Sequence, residues 1–427
     1  MERGNPNMSS SHDSPKNSIR ARLRCGLSIL LCAAVTGSAS ALFLFSLDLV
    51  TSWRVAHPQM LFALPLAGVL IVWIYQKWGA NANRGSHLLF EEVHDCRDRI
   101  PLRMAPMVLV ATLVTHLFGG SAGREGTAVQ VGGSLAAGVS RRFALDQEQQ
   151  KILLLCGIAA GFGAVFGTPW AGAVFAMEAP ARLRWKPTLL LLLLGASFVG
   201  HFSCLAWGIV HTDYRSCGLS FDGFHVLSLP LLGRAMLAAL AFGLAGRLYV
   251  SLAHASAGFW EKSSINPKLR AFLGGVCVIL LVQVSGSTDY LGLGVTSHRE
   301  GGVCILSSFH PGGAATWSWL WKMAFTVVTL SSGFKGGEVT PLFFIGAALG
   351  NVLATATGQP VELYAGLGLI AVFAAASKTP LACTLLGWEI FGSHNLALFA
   401  LGCFLAVLCS GRKGIYAVAE HDEAVRS

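Results

Sequence analysis

Apolar residues dominate the chain in long stretches, which predict helices that cross a membrane. After a polar start, the run from Cys25 to about Val50 is long enough to span a bilayer. Further apolar segments follow, several of them shorter than a full span or broken by Gly and Pro, at 60–76, 104–118, 127–140, 151–178, 188–211, 229–257, 271–286, 317–332, 340–357, 361–376 and 380–409. The pattern predicts an all-α integral membrane protein with many tilted and broken helices.

The 49 glycines fit this prediction. Half-helices that end inside a membrane expose backbone groups that can hold an ion. Glycine also permits close helix packing, and that use accounts for most of these residues.

The composition excludes an ordinary soluble enzyme. Hydrophobic residues make up 53% of the chain and charged residues 12%, too few to cover a globule of this size. The net charge of +9 does not indicate a nucleic-acid partner, because the basic residues form short flanks between apolar segments. The bilayer is therefore the expected surrounding of most side chains.

The flanking charges also predict the topology. Residues 1–24 form a basic, polar tail, and Arg412 and Lys413 follow the last apolar segment, so we expect both termini on the cytoplasmic side of a plasma (inner) membrane. Ser38 to Ala41 allows a signal-peptide cleavage site, but the apolar run continues past it, which favours an uncleaved first helix. Eleven scattered cysteines show no metal spacing, so no metal or cofactor is predicted.

The chain contains an internal repeat. At an offset of 211 residues, 157–178 and 368–389 share eight identities in 22 positions, including Thr-Pro and a final Glu in both copies. At an offset of 213, Gly123-Arg-Glu-Gly-Thr127 aligns with Gly336-Gly-Glu-Val-Thr340. Two matches in the same order at nearly the same offset indicate two homologous halves.

We predict a first membrane repeat at 25–210 and a second at 229–416. An extracytoplasmic or interhelical linker at 211–228 joins them, and a cytoplasmic tail at 417–427 ends the chain. If each half crosses the membrane an odd number of times, the repeats are inverted about an axis in the membrane plane.

The repeat brings a carboxylate and a hydroxyl to matched glycine-rich helix starts. Glu125 and Glu338 each precede a threonine by two residues, directly before an apolar helix. A helix N-terminus has free backbone N–H groups and a positive dipole end, so it binds anions. Ionised Glu125 can occupy such a site as a tethered anion, and its protonation releases the site to a diffusible anion.

Other interpretations remain open for single residues. Glu125 can instead lie in a solvated loop with Arg124 as its ion-pair partner. Glu178 has Arg182 four residues further on, which favours a structural ion pair over a proton relay. Gly119-Gly-Ser121-Ala-Gly123 fits the nucleophile pattern GxSxG, but no strand precedes it, so an intramembrane serine hydrolase is a weaker hypothesis.

Gly123-Arg-Glu-Gly-Thr127, Gly337-Glu-Val-Thr-Pro341 and Gly414-Ile-Tyr416 resemble signatures of the CLC family of anion channels and anion/proton antiporters. The resemblance covers nearly the whole membrane domain. It is strongest to the bacterial fluoride/proton antiporter branch, whose signatures are GREGT and GEVTP. It implies a CLC-like inverted repeat, a homodimer with one pathway per subunit, and transport of fluoride and protons.

The resemblance also implies roles for individual residues. Glu125 is similar to the gating and proton-carrying glutamate, and Glu338 is the candidate for the proton route. Ser86, Val339, Thr340 and Tyr416 are the implied anion-binding positions. The surrounding signature residues would support them: Gly123, Arg124, Gly126, Thr127 and Gly337.

Two departures from the family pattern leave the selectivity open. Ala179 stands where chloride/proton exchangers have their internal proton-transfer glutamate, so protons need another route. His87 occupies the position of the glycine that follows the signature serine, and Ser86 is similar to the serine of chloride-selective relatives. The leading hypothesis is a fluoride/proton antiporter, not an enzyme. The alternatives are a chloride channel or chloride/proton exchanger of the same family, the serine hydrolase and a passive scaffold.

Overall fold

The computed structural model describes residues 15–97, 99–181, 183–214, 229–297 and 299–416. These residues form fifteen α-helices, joined by turns, short 3-10 segments and a π-helical turn at Tyr75–Gly79, with no β-strand among them. In chain order the helices are α1 (Pro15–Ala56), α2 (Leu64–Ile74), α3 (Ser86–His94), α4 (Met104–Leu117), α5 (Glu125–Phe143), α6 (Gln147–Phe166), α7 (Pro169–Glu178), α8 (Pro187–Ala206), α9 (Leu229–Lys262), α10 (Pro267–Ser285), α11 (Ser318–Ser331), α12 (Val339–Thr357), α13 (Val361–Ser377), α14 (Pro380–Phe391) and α15 (Leu396–Cys409).

The predicted all-α fold is confirmed, although several predicted segments divide differently. The apolar segment 151–178 is two helices, because Gly167 ends α6 at φ +75° and Pro169 starts α7. The segment 380–409 divides in the same way at Gly392. α1 begins at Pro15, inside the predicted tail, and runs without interruption through Ser38 to Ala41.

The helices make a multi-pass membrane protein. Seven helical stretches of the described chain are long and apolar enough to cross a bilayer: Leu23–Ala56, Pro58–His94, Gln147–Phe166, Pro187–Ala206, Pro230–Lys262, Pro267–Ser285 and Val339–Thr357. Shorter apolar helices such as α4, α13, α14 and α15 lie between them. Many large apolar side chains on the outer surface are exposed, as expected where lipid replaces water.

Glycine permits the closest helix contacts, and it does so at matched places in the two halves. A Cβ added to Gly132 of α5 would lie 2.1 Å from the carbonyl oxygen of Gly157 in α6. A Cβ on Gly346 of α12 would lie 2.1 Å from the carbonyl oxygen of Gly368 in α13. Side chains at these positions would force the helices apart, so the packing of α5 on α6 and of α12 on α13 depends on glycine.

Two carboxylates link α7 to α14 and show that these helices run in opposite directions. Glu178, at the end of α7, accepts hydrogen bonds from the backbone N–H groups of Leu381 (3.1 Å) and Ala382 (2.8 Å) at the start of α14. Glu389, near the end of α14, accepts from Trp170 (3.0 Å) and Ala171 (2.9 Å) at the start of α7. Each helix therefore caps the other, and the two run antiparallel.

This reciprocal capping agrees with an inverted relation between the two repeats, because α7 and α14 are matched in sequence yet run in opposite directions. It also gives Glu178 a structural role through a different partner from the one expected. Arg182, the predicted partner, lies outside the described residues. The boundaries of the repeats, the linker 211–228 and the two tails stay predictions, and 215–228 and 417–427 lie outside the described residues.

Candidate functional site

The starts of α5 and α12 meet at the centre of the candidate site. An isolated antiparallel bridge joins their approach loops: Gly123 N–H donates to the Gly337 carbonyl at 2.6 Å, and Gly337 N–H donates to the Gly123 carbonyl at 2.8 Å. A Cβ on Gly337 would lie 2.7 Å from the backbone nitrogen of Gly126. The signature glycines therefore allow two helix N-termini to approach, which concentrates two positive dipole ends in one place.

The side chain of Glu125 occupies the N-terminus of α12. Its carboxylate oxygens accept the Thr340 hydroxyl at 2.7 and 2.6 Å and the Thr340 backbone N–H at 3.2 Å. The Arg124 backbone N–H adds a contact of 3.1 Å, and the Arg124 guanidinium lies 3.5 Å away. Glu125 is only 1% exposed, so the solvated-loop interpretation is wrong, although its ion pair with Arg124 is present.

This arrangement holds the Glu125 carboxylate as a tethered anion at a helix N-terminus. The carboxylate comes from the first half of the chain, and the hydroxyl and helix dipole come from the second. Charge-assisted hydrogen bonds of this length are among the stronger ones in proteins. Thr127, by contrast, faces α4, where its hydroxyl lies 2.7 Å from the Thr112 hydroxyl, so it supports α5 and does not contact the carboxylate.

The backbone donors beside Thr340 remain available. Val339 is 1% exposed, and the N–H groups of Glu338 and Val339 donate to no oxygen in the described part of the chain. They belong to the first turn of a helix, where N–H groups have no partner within the helix. The predicted anion-binding donors therefore lie at the same helix start as the Glu125 carboxylate.

Glu338 has a partner that the sequence did not reveal. The hydroxyl of Tyr249 on α9 lies 3.5 Å from Glu338 Oε1, and the Tyr249 side chain is fully buried. A single tyrosine in an apolar helix has no spacing that distinguishes it from a core residue, and 89 positions separate the two residues.

Ser86 and Tyr416 are on the two remaining segments of the predicted site. Ser86 starts α3, and its hydroxyl accepts from Gln130 Nε2 at 3.3 Å. Gln130 was missed, although a lone amide in the apolar part of α5 was a usable signal. The Tyr416 ring packs edge-on against Phe90, with a centroid distance of 5.1 Å, and its phenol lies within electrostatic range of Glu338 and Glu125.

A comparison with known protein families identifies the family of this chain. The family model described as voltage gated chloride channel matches residues 67–411, most of the chain. The chain belongs to this family, the CLC family. The predicted resemblance is thereby confirmed.

Two similar proteins have descriptions that name fluoride. A chloride/fluoride channel protein of Pseudomonas syringae pv. tomato is 43% identical over 392 residues, which cover 90% of this chain and 84% of the relative. The crystal structure of a CLC-type fluoride/proton antiporter superposes with a TM-score of 0.86 at 32% identity, over 95% of this chain and 99% of that one.

A third CLC structure, a slow cyanobacterial Cl⁻/H⁺ antiporter, is similar in fold. It superposes with a TM-score of 0.77 at 19% identity, over 92% of this chain and 96% of that one. The named relatives are ion channels and antiporters.

The nucleophile pattern at Ser121 is not supported by its surroundings. Ser121 is fully buried, and its hydroxyl lies 3.0 Å from the Thr326 hydroxyl on α11. Its backbone N–H donates to the Thr329 hydroxyl at 3.1 Å. These bonds tie the loop before Glu125 to α11, and among the described residues no histidine contacts the serine hydroxyl. In this CLC protein Ser121 therefore positions the loop that precedes Glu125.

Proposed function

We propose that the protein is a fluoride/proton antiporter that exports cytoplasmic fluoride in exchange for protons, with Glu125 as its gate. The observation that carries this proposal is the Glu125 carboxylate, which is held by the Thr340 hydroxyl and the first turn of α12. The similarity to a chloride/fluoride channel protein and to a fluoride/proton antiporter supports fluoride as the anion.

The gate works by exchange of one anion for another. Ionised Glu125 fills the site and blocks the path. A proton removes the charge that the helix dipole and the Thr340 hydroxyl hold, so the neutral side chain leaves and fluoride takes its place. Fluoride entry and proton uptake then involve the same residue, which couples the two fluxes.

Fluoride needs several hydrogen-bond donors to replace its strongly held water. The Thr340 hydroxyl, once Glu125 has left, and the backbone N–H groups of Glu338 and Val339 supply three of them. The hydroxyls of Ser86 and Tyr416 are further donors along the path. This set contains no flexible charged donor, which suits a small anion that must also be released.

Protons need a second carrier, because Ala179 occupies the position of the internal glutamate of chloride/proton exchangers. Glu338 fills this role, with the Tyr249 hydroxyl as its hydrogen-bond partner. The carboxyl lies at the same helix start as the Glu125 site, so a proton released by Glu125 has an acceptor on the opposite approach loop.

The proposal includes a homodimer and an orientation in the membrane. All the residues of the pathway belong to one chain, so a homodimer in the plasma (inner) membrane has one pathway per subunit, with both termini cytoplasmic. Cross-linking of the purified protein in liposomes tests the dimer, and protease accessibility of tags at each terminus tests the orientation.

The function is tested on the wild-type protein in liposomes loaded with equal fluoride and chloride. We expect fluoride to leave in strong preference to chloride, with proton uptake recorded by external pH. Preferential chloride efflux would move the protein to the chloride transporters of the family, and Ser86 would then be the first residue to examine. Fluoride efflux without proton uptake would make it a channel.

A further inference from the structure

A cavity of about 750 Å³ lies next to Arg124, the neighbour of the proposed gate Glu125, on the side where α1 ends. Its wall consists of the last turns of α1 with Arg54, residues 208–212, and, between α10 and α11, residues from 288–297 with Arg299. None of the predicted site residues except Arg124 lines it. The cavity thus adjoins the Glu125 site without being part of it.

One arginine of the cavity wall has a nitrogen without an acceptor. The Nε atom of Arg54 is buried and makes no hydrogen bond, and the described residues give Arg54 no ion pair, whereas Arg124 Nε lies 3.5 Å from Glu125 Oε1. Buried guanidinium donors without an acceptor are costly. The two acids of the wall form no ion pair with Arg54: Asp48 is exposed, and Asp289 accepts the Val303 N–H at 3.0 Å.

The backbone of the opposite wall presents N–H groups. Leu293, Gly294 and Val295 line the cavity, and their N–H groups donate to no oxygen among the described residues. Lys322 Nζ donates to the Gly292 carbonyl at 2.7 Å, and Ile305 N–H donates to the Gly294 carbonyl at 2.8 Å. In a trans peptide the N–H points opposite to the C=O, so the Leu293 and Val295 amides face away from these donors.

Basic side chains from three helices surround this wall. At Gly292, an added Cβ would lie 3.6 Å from Arg54 Nη2 and 4.0 Å from His116 Cδ2. Lys322 lies on its carbonyl side, is fully buried, and has no acidic partner in the described part of the chain. Consecutive free amides beside basic side chains form an anion-binding concavity.

We propose that this cavity is a second anion site, outside the Glu125 gate, in which fluoride binds between the Arg54 guanidinium and the amides of Leu293, Gly294 and Val295. The choice of fluoride rests on the proposed function. Fluoride that passes the gate reaches this site before it enters water, and the held anion satisfies donors that otherwise lack an acceptor.

Arg54→Gln tests the site, with Arg299→Gln as the matched control. Arg299 lines the same cavity but is exposed at its rim, and the substitution removes the same charge. Fluoride binding to the purified full chain is measured by calorimetry, and fluoride and proton fluxes are measured in liposomes. We expect Arg54→Gln to raise the fluoride dissociation constant about tenfold, and Arg299→Gln less than about twofold.

Arg54→Lys keeps the positive charge but loses the planar guanidinium, so we expect an intermediate rise of the fluoride dissociation constant. This variant replaces Arg54→Gln in the test if Arg54→Gln does not fold. Equal effects of Arg54→Gln and Arg299→Gln, or no effect of either, would overturn the site. If the wild type exchanges fluoride for protons and both Arg54 variants bind fluoride as tightly as the wild type, only the second anion site is contradicted. If the wild type does not exchange fluoride for protons, the proposed function itself is contradicted.

Discussion

Replacing Thr340 by valine isolates the hydrogen bond that holds the carboxylate of Glu125, the proposed gate. The Thr340 hydroxyl lies 2.7 and 2.6 Å from the two carboxylate oxygens of Glu125. A hydroxyl has one proton, so the two contacts amount to one shared hydrogen bond. Valine has nearly the same shape, and the backbone N–H groups of Thr340 and Arg124 still donate to the carboxylate.

The size of the effect follows from the charge on the acceptor. A hydrogen bond to a charged group contributes about 1.5–3 kcal/mol. A change of about 1.4 kcal/mol alters an equilibrium tenfold. The ratio of docked to released Glu125 carboxylate should therefore be about 10- to 100-fold lower in Thr340→Val than in the wild type. A carboxylate that leaves without a proton opens the path to fluoride alone, so coupling should fall.

The assay records fluoride with an electrode and external pH together, on proteoliposomes of each variant. Thr340→Ser keeps the hydroxyl and is the matched control. We expect Thr340→Val to lower the number of protons exchanged per fluoride, and Thr340→Ser to stay near the wild type. A Thr340→Val protein that elutes as a folded species and keeps the wild-type ratio would refute the role of this hydroxyl.

Three further substitutions test the surrounding structure. Tyr249→Phe removes the long bond to Glu338 and should slow proton flux by up to about tenfold, with fluoride binding by calorimetry unchanged. Glu389→Ala removes the cap on α7 and should lower the free energy of unfolding by about 1–2 kcal/mol, measured by thermal unfolding. Glu148 is exposed, so Glu148→Ala is the control and should leave the stability unchanged. Equal melting temperatures of the two variants would contradict the capping role. Gly337→Ala places a Cβ 2.7 Å from a backbone nitrogen and should abolish transport, so wild-type flux would contradict that close approach.

The sequence predicted the parts of the site that the repeat duplicates. Glu125 and Thr340 stand at corresponding helix starts, and that correspondence was enough to expect an anion site at each. It could not predict that the carboxylate of one repeat docks on the hydroxyl of the other, because that contact joins residues 215 positions apart.

The features that the sequence did not predict depend on contacts between distant segments of the chain. The spacing of Glu178 and Arg182 suggested an ion pair within one helix, but Glu178 accepts backbone N–H groups 203 and 204 positions away. The matched Thr-Pro helix starts, each paired with a matched glutamate, were a signal for this capping. Tyr249 and the amides of Leu293 to Val295 carry no sequence signal, since their chemistry depends on how loops and helices pack.

The central claim is that Glu125 both blocks the anion path and carries the proton. Its most direct test is simultaneous recording of fluoride efflux and proton uptake by liposomes containing the wild type or Glu125→Gln. Glutamine keeps the shape but is neutral, so it can neither dock as an anion nor carry a proton. We predict fluoride efflux with proton uptake for the wild type and loss of proton uptake in the variant. Proton-coupled fluoride efflux by Glu125→Gln would contradict the account.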